Sequence, residues 1–185
     1  MSDEFPWQAS GVQLAAYLEE LKLLGLADVV IARCSAPTRE AMLNPHVARW
    51  HSGALVCEFQ EAVVAVSDEA TLERLSYAMM RRGFGRILRP LVQVTLAVAG
   101  GGADAVFGRF AAGMSQSIRG VAATWLKTEP RAGELTIIYP CPAPRYVVAT
   151  YRGIIRFVGE LGTDRVHLAA VDQRSPNRPV FRLTW

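Results

Sequence analysis

At 185 residues, 51% of them apolar and 20% charged, the chain is long enough to close a hydrophobic core and too apolar to be a disordered segment. Its net charge of +3 comes from 18 Arg and two Lys, Lys22 and Lys127, against 17 acidic residues. The densest cationic cluster, Arg81, Arg82, Arg86 and Arg89, is too small to neutralise a run of phosphates, which excludes a nucleic-acid binder.

Ser10 precedes Val12, Leu14, Leu18 and Leu21 at helical spacing, so it is the expected N-cap of a helix over 11–24 that ends at Gly25. A short helical segment, 26–33, leads to the Cys34-Ser35-Ala36-Pro37 break, and the chain turns again at Asn44-Pro45. Leu55, Phe59 and Val63 mark a helix from Gly53 to about Ser67, which is placed to cap a following helix carrying Leu72, Leu75, Ala78 and Met79 and closed by Gly83. An apolar segment over 87–98, with Pro90 near its start, reads as the most buried helix. It is interrupted by Gln93 and Thr95 and is too short to span a bilayer. Gly100-Gly101-Gly102 is then a turn, and Val106, Phe110 and Met114 lie on the next helix.

After Gly120 the period shifts towards two, with β-branched and aromatic residues. Segments 121–128 and 134–139 flank Pro130 and Gly133 as a hairpin with Trp125 on one strand, and Pro140, Pro142 and Pro144 make a stiff connector. Val147, Val148, Tyr151, Ile154, Ile155 and Val158 form the stripe of a helix over 144–161. Segments 165–171 and 179–185 make a second hairpin, with Phe181, Leu183 and Trp185 facing inward. The fold class is therefore α+β, an N-terminal helical bundle packed on a C-terminal antiparallel sheet of two β-hairpins around one long helix. The expected organisation is a single domain over 1–185, with a helical subdomain over 1–120 and a ββαββ subdomain over 121–185.

The residues offer little for chemistry. His46 and His51 are five apart, with Cys57 six further on, a spacing that does not converge on one ion. His167 reads as a half-buried strand residue. Cys57 lies on an apolar helix, where a thiol packs as a small hydrophobe, while Cys34 and Cys141 sit in breaks. The glycine run lacks both the preceding strand and the Lys of a phosphate loop. No metal site and no catalytic residue is assigned. Three widely spaced cysteines and the absence of a secretory leader or membrane span point to the cytoplasm.

Ala32-Arg33-Cys34, Asn44-Pro45-x-x-Ala48, Trp125 before Gly133-Glu134-Leu135, the proline connector, Tyr151 with Gly153, and the terminal Phe181-Arg182-Leu183-Thr184-Trp185 resemble, in that order, an uncharacterised myxobacterial family, domain of unknown function 2378. More distantly the C-terminal half is similar to the heme-NO-binding and vinyl-reductase-like domains. That similarity implies a helical bundle before an antiparallel sheet, with a ligand between the two. The heme-binding family holds the propionates with a Tyr-x-Ser-x-Arg motif; the corresponding stretch here is Tyr139-Pro140-Cys141-Pro142-Ala143. It also uses an axial histidine, and residues 52–166 contain none. On these residues no cofactor is expected, heme included.

The resulting expectation is a non-enzymatic sensory or regulatory module, binding a small apolar ligand between bundle and sheet, with Tyr139, Arg145 and Tyr151 as the contact residues. Two alternatives stand beside it. One is a protein–protein adaptor or homodimer using exposed apolar residues such as Trp7 or Trp50. The other is a thiol-dependent enzyme using Cys141 or Cys34 with His46 or His51.

Overall fold

The computed structural model describes residues 6–84 and 101–185; the expected helix over 87–98 lies outside them. In chain order the described elements are β1 (Gln8–Ser10), α1 (Gly11–Leu23), α2 (Ala27–Arg33), α3 (Ala36–Leu43), β2 (Trp50–Ser52), α4 (Gly53–Val66) and α5 (Glu69–Met79). A π-helical turn, Met80–Phe84, follows. Then come α6 (Ala103–Gly113), β3 (Ile118–Arg119), β4 (Ala122–Glu129), β5 (Ala132–Ile138), α7 (Val147–Gly159), β6 (His167–Asp172) and β7 (Val180–Thr184).

The C-terminal sheet is antiparallel in the order β4-β5-β7-β6, so both hairpins form and join through β5 and β7. Along β5, Gly133, Leu135 and Ile137 are buried at period two, and Tyr139 continues that face past the strand end. On β7 Phe181 lies opposite Leu135 and Leu183 opposite Gly133, while on the outer face Arg182 pairs with Glu134 at 2.9 Å. The expected inward alternation of the last strand is present. α7 covers the inner face through its apolar stripe, with the Tyr151 ring tilted against Phe181 at 5.4 Å between centroids. α6 covers the other end, where Phe107 stacks at 5.1 Å on Trp125 and the Trp125 indole donates to Asp104 at 2.7 Å.

The helical half meets α7 mainly through α5. Gly153 on α7 permits this contact, since a Cβ there would run into the backbone at Glu73 and lie 2.7 Å from the Tyr77 nitrogen. Tyr17 of α1 packs at 5.1 Å on Phe59 of α4 and shares a hydrogen bond with Ser76 of α5 at 3.1 Å. Three helices thereby converge on one side chain.

Several local expectations are corrected. The N-terminal half is not purely helical: β1 pairs with both β2 and β3 in a small sheet. These strands have two or three residues, too short to show a period. Pro37 does not end structure but sits in the first turn of α3, where its missing N–H costs nothing. The N-terminus of α3 is held from outside by Glu58, whose carboxylate accepts from Ser35 and Thr38. Asp68, not Ser67, caps α5, accepting from the Thr71 amide at 2.6 Å. Ser10 stands at the N-cap position of α1 without a side-chain cap. His167 opens β6 and is exposed. Among the described residues no helix is long and apolar enough to cross a membrane.

Candidate functional site

Trp7 stands just before β1 and is buried. It can lie there because α4 begins with Gly53, whose missing Cβ would otherwise enter the indole ring. The Trp7 ring meets Tyr139 edge-on at 5.8 Å. Gly120, at φ +79°, turns the chain from β3 into β4 against the Pro6–Trp7 backbone. Trp7 therefore pins the small sheet, α4 and the end of β5 to one point. It is not available as an exposed adaptor residue, since hydrophobic packing has drawn it inside.

Behind Trp7 lies a cavity of about 30 Å3 at the seam between bundle and sheet, lined among others by Gln13, Tyr17, Gln60, Tyr139 and Tyr151. Two of the three expected contact residues thus meet there. The Tyr139 and Tyr151 phenols lie close enough to shift one another, and the Tyr151 hydroxyl donates to the Met114 sulfur at 3.8 Å. Burial pushes the Tyr17 phenol up to about 12 and raises Tyr139 and Tyr151 well above the ordinary tyrosine range, so all three are neutral phenols near pH 7. The third expected residue, Arg145, stays outside: it is exposed, with its guanidinium 5.3 Å from the Tyr146 ring centroid.

Sequence reasoning missed Trp7, Tyr17 and Gln60. A signal for Gln60 exists: it occupies the buried stripe of α4, one turn beyond Val56 and one residue after Phe59. Its Oε1 atom is buried and meets no hydrogen-bond donor among the described residues.

The other candidates are scattered. His51, on β2, has its pKa lowered by burial. Trp50 is half-buried beneath the Arg119 guanidinium, 4.1 Å from its ring centroid. Cys34 is buried, donates to the Val30 carbonyl at 3.5 Å and is raised by burial. Cys57 is pushed up to about 11, by burial first and then by Glu61 and Cys141; the two thiols, 84 positions apart, lie close enough to feel one another. None of this supplies a thiolate near neutral pH. Among the described residues no three His, Cys, Asp or Glu side chains gather in a metal-binding group.

A larger, open groove of about 1040 Å3 runs between α7 and the edge strand β6. Arg152, Arg156 and Arg165 line it together with Glu73, Glu160 and Asp164. Glu160 is engaged by Tyr77 and Arg156, and Asp164 accepts from the Ala103 amide at 2.7 Å.

No protein-family model matches the chain, and no curated protein does. Solved structures do. An Fe(II) unliganded H-NOX protein from K. algicida matches with a TM-score of 0.66 at 8% identity, over 95% of each chain. A structure from work on heme distortion in the H-NOX family matches at 0.61 and 10% identity, over 95% of this chain and 94% of that one. An oxygen-binding H-NOX domain related to soluble guanylate cyclases matches at 0.59 and 12%, with the same coverage. The likeness to heme-NO-binding domains expected from the C-terminal half thus extends along nearly the whole chain, and the fold is theirs.

These matches correct the expectation of no cofactor. Heme, set aside on the residues alone, is the group with which structures of this fold were solved, and it is the cofactor that the fold implies. The residues at the seam stand against it in the described arrangement. Trp7, Tyr17, Tyr139 and Tyr151 fill the space, leaving about 30 Å3, and burial keeps the two tyrosines nearest the sheet neutral. So placed, they do not fit a macrocycle, and no chemistry is derived through it.

Proposed function

We propose that this chain is a non-enzymatic sensory or regulatory module in which the bundle–sheet seam is the ligand-responsive element. The order of its short motifs resembles the uncharacterised myxobacterial family, domain of unknown function 2378. One observation carries the reading: the junction of α1, α4, α7 and β5 contains a small aromatic-walled cavity with buried hydroxyl and amide groups, the composition of a ligand pocket rather than of a plain core. Tyr139 and Tyr151 would contact a small apolar ligand from inside. Arg145 would stand at the rim, between the lining residues Pro144 and Val147. Any ligand larger than the cavity must part bundle from sheet, and that movement is the signal such a module would transmit.

The test uses the purified full chain. Native mass spectrometry reads any molecule retained from the host, and thermal shift is followed with benzene and, separately, with hemin, whose binding also gives a Soret band. The expected result is a retained mass, or a saturable rise in melting temperature that Tyr151→Phe alters. No retained mass and no shift with either probe would overturn the proposal.

A second reading, the protein–protein adaptor, is favoured by the groove beside β6. β6 is an edge strand, and among the described residues Arg152 and Arg165 stand on the groove walls outside any ion pair. An extended acidic segment could add to that edge. A synthetic peptide alternating Val and Glu should slow amide exchange in β6 at low salt, and unchanged exchange would remove this reading.

A further inference from the structure

Gln60 is 4% exposed and lines the seam cavity, yet its Oε1 meets no donor among the described residues. Folded proteins leave very few buried carbonyl oxygens in that state, and the amide cannot reach solvent for a partner.

The hydroxyls around it are committed elsewhere. Tyr151 donates to Met114 at 3.8 Å and Thr150 to the Tyr146 carbonyl at 3.0 Å, while the Tyr139 phenol lies against that of Tyr151. Tyr17 shares a hydrogen bond with Ser76 at 3.1 Å in which either hydroxyl can donate. The Gln13 amide donates to the Ser117 carbonyl at 3.4 Å. Among the described residues no donor is left for Gln60, and the cavity it lines offers space for one. At about 30 Å3 the cavity exceeds the roughly 10–15 Å3 that a water needs, and a buried water needs two to four polar partners. The free lone pairs of the tyrosine hydroxyls, the second hydrogen of the Gln13 amide and Gln60 Oε1 supply them.

We infer that the seam is a built seat for one buried water molecule, or a hydrogen-bond donor of that size, with Gln60 Oε1 as its principal acceptor. This deepens the ligand reading above, since it makes admission of any apolar ligand an exchange against a bound donor, and it gives Gln60 the role of the polar fixture. It stands or falls separately, because the seat can be occupied whether or not an apolar ligand ever binds.

Two measurements decide it. A high-resolution crystal structure of the full chain should place an ordered water within hydrogen-bond distance of Gln60 Oε1. Water-oxygen magnetic relaxation dispersion should then count one long-lived water fewer in Gln60→Leu than in the parent. A dry cavity in the parent structure, or an equal water count in a folded Gln60→Leu, overturns the inference. If that variant fails to fold, the presence or absence of the water in the parent structure is sufficient to decide. Failure of the benzene and hemin titrations with the water present would reject the ligand reading and leave this seat intact.

Discussion

Gly153→Ala tests the contact on which the junction of bundle and sheet rests. A Cβ at this position would press into the backbone at Glu73, lie 2.7 Å from the Tyr77 nitrogen and 3.0 Å from the Ser76 Cβ. Two of these neighbours are backbone atoms that cannot rotate away, so α5 and α7 must separate, and the packing of Tyr151 and Ile154 beside them loosens too. Overpacking of a close-packed interior costs about 1–3 kcal/mol, and the upper end applies where backbone meets the added atom. Against this, alanine gains about 1 kcal/mol over glycine in a helix interior. The expected net loss is about 2 kcal/mol, or about 4–8 °C in melting temperature for a chain of this size. Urea unfolding followed by circular dichroism reads it. Gly113→Ala is the control, because it closes α6 with nothing within 4 Å of the new Cβ and should be neutral or slightly stabilising. If the two variants unfold at the same urea concentration, the helix contact is not as tight as described.

Three further outcomes are expected. Since burial raises the phenols of Tyr17, Tyr139 and Tyr151 in the folded state, their contribution is complete below the unfolded value near 10 and is lost as pH rises towards the folded value. Each should remove about 1.4 kcal/mol of stability per pH unit above 10, and absorbance at 295 nm showing these three ionising at pH 10 in the folded protein would contradict their burial. Asp164→Ala should cost about 1 kcal/mol by freeing the Ala103 amide at the start of α6. Asp164→Asn, which keeps an acceptor, should recover most of that; equal losses would point to charge rather than the hydrogen bond. Cys57, pushed up to about 11 from 9.0, should alkylate at pH 8 about 100-fold more slowly than free cysteine, and peptide mapping that shows it labelled at the free rate would refute its environment.

The sheet and its covering helix were legible because each carries its own period: two along Leu135, Ile137 and Tyr139, about 3.6 along Val147, Tyr151, Ile154 and Val158. What was illegible depends on partners distant in the chain. Strands β1, β2 and β3 are too short to show alternation, and α3 is secured by Glu58 from a later helix. Trp7 looked like a surface aromatic near the N-terminus, because nothing local reveals that Gly53 leaves a berth for it. Part of the candidate seam is legible in the sequence. Tyr139 and Tyr151 were placed at a strand end and a helix start, and the fold brings both inside. Arg145 lies in the turn just before α7, ahead of the buried stripe, and is exposed. Gln60 is a polar member of an otherwise apolar stripe, and nothing local shows that its amide is buried.

The likeness to heme-carrying structures at 7–12% identity separates what specifies this fold from what specifies its interior. The outer frame needs only the inward alternation of four strands, an amphipathic helix across them and close helix contact at Gly153, requirements that many sequences meet. Occupancy of the seam is set by far fewer side chains. Four aromatic rings, Trp7, Tyr17, Tyr139 and Tyr151, occupy the space in the described arrangement, and each has a specific partner: the gap at Gly53, Ser76, the Trp7 ring and Met114. To open the seam is therefore to break a connected set of contacts rather than to displace one ring. A ligand that opens it must offset their loss, so its binding is coupled to a movement between the elements that these side chains join.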